Sequence, residues 1–134
     1  MLTSDYPYSG VDGSCQADAS LGKVLVTDYS LVQEDSIDQL KAAIANGPTS
    51  VTIEADTMVF QMYSSGIFDS EKCGTSLDHA VTAVGYGTEN GVGYYIVRNS
   101  WGSSWGEDGY IRIKEVDGEG ICGIQMDSLW PVTN

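Results

Sequence analysis

His79-Ala80-Val81-Thr82-Ala83-Val84-Gly85-Tyr86 and Tyr94-Tyr95-Ile96-Val97-Arg98-Asn99, with Asn90-Gly91 between them, decide how this chain folds. Both runs are rich in β-branched and aromatic residues and read as strands. Asn-Gly between such runs is a strong hairpin signal, because both residues accept positive φ. The hairpin has a chemical consequence. His79 opens the first strand and Asn99 closes the second, so antiparallel pairing brings them to one edge. His79 is the only histidine of the chain. A carboxamide oxygen accepts a hydrogen bond from one imidazole nitrogen and leaves the other for a reaction centre. A base with an orienting partner serves a nucleophile. Trp101 would cover the pair and exclude water, which strengthens the bond. An arbitrary His and Asn are more often structural residues. The tryptophans read equally well as large aromatics filling the end of a barrel.

Outward from this hairpin, Tyr110 to Lys114 reads as another strand, so the C-terminal half looks all-β. Ser50-Val51-Thr52-Ile53-Glu54 alternates polar and apolar and reads as a half-buried strand. The clearest helix runs from about Ser36 to Asn46. Ser36 is a good N-cap and Gln39 completes a capping box. Ile37, Leu40 and Ile44 share one face, and Gly47-Pro48 stops the helix. Thr57 to Tyr63 reads as a short helix, Val24 to Tyr29 as a strand, and the first 22 residues as irregular structure. The picture is an α+β, mostly β chain: an antiparallel sheet closing toward a barrel, with short helices outside.

A length of 134 residues suits one domain, spanning 1–134, with a real core. The net charge of -13 argues against nucleic acid, which needs clustered Lys and Arg. No apolar run approaches the roughly 20 residues that cross a bilayer, and no signal peptide opens the chain. A chain this acidic suits an acidic compartment, where self-repulsion falls. Cys15, Cys73 and Cys122 lie far apart in sequence, which with one histidine gives no zinc spacing. Neither a metal nor a cofactor is expected. An odd cysteine count implies one bridge and one thiol left over.

Several segments together are far more specific than the His/Asn pair. They are Asp78-His79-Ala80-Val81 with Val84-Gly85-Tyr86-Gly87, Asn99-Ser100-Trp101-Gly102 with Trp105-Gly106, Gly109-Tyr110-Ile111-Arg112-Ile113, and Cys122-Gly123-Ile124. Upstream, Tyr6-Pro7-Tyr8, Gly47-Pro48 and Gly66-Ile67-Phe68 follow in the same order. In these the chain resembles the papain family of cysteine peptidases, which includes the lysosomal cathepsins. The resemblance covers nearly the whole chain. It implies the β-rich right-hand domain of that fold, with His79 as catalytic base, Asn99 as its orienting partner, and Trp101 shielding their bond and shaping the leaving-group side of the cleft. It implies a disulfide between Cys73 and Cys122, whose loop of about 50 residues would contribute roughly 4 kcal/mol in the chain-entropy model. It further implies a pocket for the side chain two residues before the cleaved bond, lined by Thr52, Leu77, Ala80 and Asp127, with Asp78 alongside in the substrate cleft. Asp127 either floors that pocket, where it would accept Arg or Lys, or points to solvent.

The sequence also departs from the family. The nucleophilic cysteine there sits in a Gly-Ser-Cys-Trp-like segment opening a long helix, with a glutamine shortly before it, and this sequence has neither. Gly13-Ser14-Cys15 is followed by Gln16 and no helix pattern, and Cys15 resembles by position a bridge cysteine. The expectation is a papain-like endopeptidase half that is inactive alone, acting on peptide or protein substrates in a lysosomal, vacuolar or secreted setting. It is also expected to expose an apolar face that a cysteine-bearing half, a second copy or another partner covers. The alternative is a non-catalytic binding or scaffold module derived from such a peptidase. An enzyme built on Asp78 and Glu107 has little support, since no acid pair shares an obvious cleft.

Overall fold

The computed structural model describes Met1–Thr133. Seven strands form one sheet: β1 (Val26–Leu31), β2 (Thr49–Ile53), β3 (Ile67–Phe68), β4 (His79–Glu89), β5 (Val92–Arg98), β6 (Tyr110–Lys114) and β7 (Ser128–Thr133). Two helices, α1 (Ile37–Asn46) and α2 (Met58–Gln61), and three short 3-10 turns complete the fold. The strand order is β1-β7-β2-β4-β5-β6-β3. The mostly β, short-helix expectation holds, but the sheet does not close. β1 and β3 are its two edges, and β3 runs parallel to β6 where every other pairing is antiparallel.

The hairpin that decides the fold is present. Glu89 pairs with Val92 across a two-residue turn. Asn90 and Gly91 both take positive φ, 51° and 80°, as a type I′ turn demands. A register shift between Ala83 and Gly85 marks a bulge in β4. Beyond it Thr82 pairs with Arg98. β4 begins at His79, where its own residues predict, and runs on past Tyr86 to Glu89 because β5 starts at Val92, earlier than its aromatic run suggests.

α1 forms where its caps place it. The Ser36 hydroxyl accepts from Gln39 N–H at 3.3 Å, and Leu40, Ala43 and Ile44 are buried. α2 is shorter than expected, a single turn whose Phe60 is fully buried. β1 lies two residues further along than the local pattern indicates, because its register is set by Leu129–Thr133 of β7. β7 is not among the strands read from the sequence, and it carries Pro131, which donates nothing to a ladder. It is tolerated because β2 pairs with β7 only through Leu129 and Ser128, leaving the β2 side of Pro131 without a ladder partner.

The core lies between the sheet and α1 and continues under α2. Val51, Ile53, Val81, Ala83, Tyr95, Val97, Ile111 and Ile113 are all buried. On β4 the buried residues alternate, and the same face carries His79 at its end. On β5 that face carries Tyr95, Val97 and then Asn99. The His79 and Asn99 pair therefore stands where the core face runs out. The Cys73–Cys122 disulfide, with Cα atoms 5.0 Å apart, pins two 3-10 turns beside the core.

Candidate active site

His79 and Asn99 are not direct cross-strand partners but diagonal ones, because Thr82 faces Arg98. Diagonal neighbours on one face stay within reach of longer side chains. The imidazole Nε2 and the Asn99 Oδ1 are 2.9 Å apart. Asn99 is 8% exposed, and its Oδ1 also accepts the Ser100 N–H at 2.7 Å. That second bond assigns the amide: the oxygen faces both donors, so Nε2 carries the proton. Asn99 Nδ2 is buried without a hydrogen-bond partner among the described residues. The other ring nitrogen, Nδ1, makes no hydrogen bond among the described residues. The ring borders an open hollow of about 200 Å³ lined by Ala55, Asp56, Gln61, Asp78, His79 and Trp101.

Trp101 stacks on the imidazole, with ring centroids 5.2 Å apart and planes 28° from parallel. Behind it the indole meets Phe60 at 5.6 Å and Trp105 at 5.3 Å, both edge-on. Trp105 is itself fixed, its Nε1–H donating to Gln61 O at 3.0 Å. Edge-to-face packing of this kind suits aromatic quadrupoles. The loop from Trp101 to Gly109 can fold this tightly because Gly102, Gly106 and Gly109 take positive φ. Gly106 has no room for a side chain: a Cβ there would meet Tyr110 O at 2.5 Å.

The residues expected to form a substrate pocket are brought together in part. Thr52 and Ala80 are paired across β2 and β4. The Thr52 hydroxyl donates to Asp127 Oδ2 at 2.9 Å, and Asp127 is exposed. Leu77 packs over Gly123 together with Met126. Asp78 does not stand free, since its Oδ1 accepts the Ala55 N–H at 2.8 Å and ties the β2–α2 connection to the start of β4. Ala55, Asp56, Gln61 and Met126 border these sites and were not anticipated. Nothing local marks them; they arrive through the path of the β2–α2 segment and the turn after Cys122. Cys15 is exposed and free, and no cysteine lines the His79 hollow.

This geometry has counterparts among known proteins. Residues 1–132 match the papain family cysteine protease profile. Cysteine proteinase RD21A of Arabidopsis thaliana is 52% identical over 133 residues, covering 97% of this chain and 29% of that protein. Chymopapain of Carica papaya is 47% identical over 129 residues, 94% of this chain and 36% of that protein. The chain thus spans well under half the length of these relatives. Among solved structures, the bromelain protease from Ananas comosus in complex with the E64 inhibitor superposes with a TM-score of 0.89 at 43% identity, over 97% of this chain and 61% of that one. Digestive procathepsin L 3 of Tenebrio molitor gives 0.91 at 38% identity, over 98% and 43%. Sequence, fold and the His79–Asn99–Trp101 arrangement lead to one conclusion: this chain belongs to the papain family of cysteine proteases.

Proposed function

We propose that residues 1–134 form one folding unit that supplies the base and its orienting amide to a papain-type cysteine endopeptidase acting on peptide or protein substrates. The observation that carries this reading is the 2.9 Å contact between His79 Nε2 and Asn99 Oδ1 beneath the Trp101 indole, with the second ring nitrogen left toward an open hollow. A cysteine thiolate, supplied by a cysteine-bearing region on the same or another polypeptide, pairs with protonated His79. The sulfur attacks the scissile carbonyl carbon, and the imidazolium gives its proton to the departing amine. His79 then takes a proton from water, whose oxygen displaces the sulfur from the thioester and releases the acid. Asn99 keeps the ring in one tautomer throughout, and Trp101 keeps water off their bond.

Thr52, Leu77, Ala80 and Asp127 serve the substrate side chain two residues before the cleaved bond, with Asp78 and Trp101 bounding the cleft. The Thr52–Asp127 hydrogen bond holds the Asp127 carboxyl group at the pocket wall, which favours Arg or Lys there alongside apolar side chains. The buried disulfide fits an oxidising setting, vacuolar, lysosomal or secreted. Because no cysteine borders the hollow, the chain alone hydrolyses nothing. A peptidyl-coumarin assay on the purified chain should show no turnover; robust turnover abolished by Cys15→Ser would overturn the reading. The same lack of a bordering thiol is what favours the second reading, a binding or scaffold module. That reading predicts tight binding of a partner with no hydrolysis, even after a cysteine-bearing region is provided.

A further inference from the structure

The loop that carries the indole lid is short of regular hydrogen bonding, yet it is held in one place. Gly102, Gly106, Asp108 and Gly109 all have left-handed φ, between 52° and 91°. Its own bonds are few: Trp105 N–H to Gly102 O, Gly109 N–H to Trp105 O, and the two-way pairing of Glu107 with Tyr110. The loop feeds directly into the site, since Asn99 N–H donates to Gly109 O at 3.0 Å.

The Glu107 carboxylate is the outlying anchor. Oε1 accepts the Gly66 N–H at 2.8 Å and Arg112 Nη2 at 2.8 Å, and Oε2 accepts Arg112 Nε at 2.9 Å. Arg112 also donates to Glu89 at the end of β4 and lies over the Tyr94 ring, 5.3 Å from its centroid. Glu107 thus ties the loop to the segment before β3 and to β6, and Arg112 extends the link to β4. Gly66 O in turn accepts the Tyr63 hydroxyl at 2.7 Å. The Tyr63 ring packs on Trp105 at 5.6 Å, Trp105 on Trp101, and Trp101 on His79. Two contiguous routes therefore run from Glu107 to the imidazole, one through the aromatics and one through Gly109 to Asn99. An exposed ion pair is usually worth little. This one is bidentate, shares its carboxylate with a backbone N–H, and is less than one third exposed on both partners. The arginine hydrogen bonds hold the Glu107 carboxyl below the usual carboxylate range.

We infer that Glu107 is a positioning residue for the His79–Asn99–Trp101 arrangement, acting through the lid loop and touching neither substrate nor ring. The functional meaning of this rests on His79 being the base, but the ring's attachment is read independently of activity. The readout is proton exchange at His79 Nε2–H by NMR, followed beside the backbone amides of β5 and β6. In Glu107→Ala the ring proton should exchange at least about tenfold faster while those amides keep their protection, the mark of a local opening. Glu107→Gln retains an acceptor for Gly66 N–H and should recover part of the protection. Should the alanine variant fail to fold, Arg112→Lys loosens the same carboxylate and is read in the same way. Unchanged ring exchange, or acceleration only in step with the strand amides, overturns the inference. Whether His79 acts as a base is decided separately by peptide hydrolysis, so the two claims fail independently.

Discussion

The first thirty residues and the sheet beyond α1 follow opposite rules within one chain. From Leu2 to Leu31 every residue is exposed, although Leu2, Tyr6, Tyr8, Val11, Leu25 and Val26 are apolar. Tyr8 is 94% exposed. From Thr49 onward every strand of the central sheet buries one face against α1, α2 or the turn after Cys122. The difference teaches where the fold's stability resides and where it does not. β2, β4, β5 and β6 with α1 and the disulfide hold themselves together, whereas the N-terminal segment offers apolar surface that this chain does not cover. The candidate site straddles the boundary. Trp101 and His79 grow out of the buried face, while the far side of Asn99 opens to a hollow of about 1010 Å³ bounded by Thr3 and Tyr8 as well as Ser100 and Tyr110.

The contrast can be broken first at its strongest point. Replacing Cys73 and Cys122 with serine should lower unfolding stability by roughly 4 kcal/mol, read as a shifted denaturant midpoint. Loss of less than about 1 kcal/mol would mean the turns beside the core are held by something else. Ile111→Ala should cost about 2–5 kcal/mol, since the residue is wholly buried in the core. Tyr95→Phe is milder. It removes the hydroxyl donated to Gln125 Oε1 at 2.8 Å inside the core and should cost about 1–3 kcal/mol. At the other extreme, Tyr8→Ser and Leu25→Ser should stay within about 0.5 kcal/mol of the parent chain. The same exposed segment should make the chain self-associate or take up a partner, so sedimentation at rising concentration should show species larger than a monomer. Clean monomeric behaviour would count against that.

How much of this could be read from residues alone divides along the same line. α1 was legible because Ser36, Gln39, Leu40 and Ile44 carry local signals, and the β4–β5 hairpin because Asn90-Gly91 admits few conformations. The His79–Asn99 encounter followed from that turn. β7 was not legible, because Pro131 argues against a strand until the one-sided pairing is seen. Two-residue β3 has no pattern of its own. Asp56, Gln61 and Met126 reach the site through chain paths that no periodicity encodes. Asp127 looked as ready for solvent as for a pocket, and only the Thr52 hydroxyl tells what holds it.

Acid titration sharpens the picture by a smaller effect. Glu107 has its carboxyl depressed chiefly by the Arg112 hydrogen bonds. Its contribution is therefore present above the ordinary carboxylate range, near pH 4, and is lost as pH falls through the lowered folded value. Glu107→Gln should flatten the acid limb of the stability curve by at most about 1 kcal/mol. Tyr95 is shifted the other way by burial, so its contribution is complete below about pH 10 and fades as pH rises above that.

The most direct test of the whole account is peptide hydrolysis by this chain joined to the cysteine-bearing region of a papain-family relative. Thiol-dependent cleavage that falls by about 10²–10⁴-fold in His79→Ala is the expected result, with a smaller loss in Asn99→Ala. Cleavage that survives His79→Ala unchanged would contradict it.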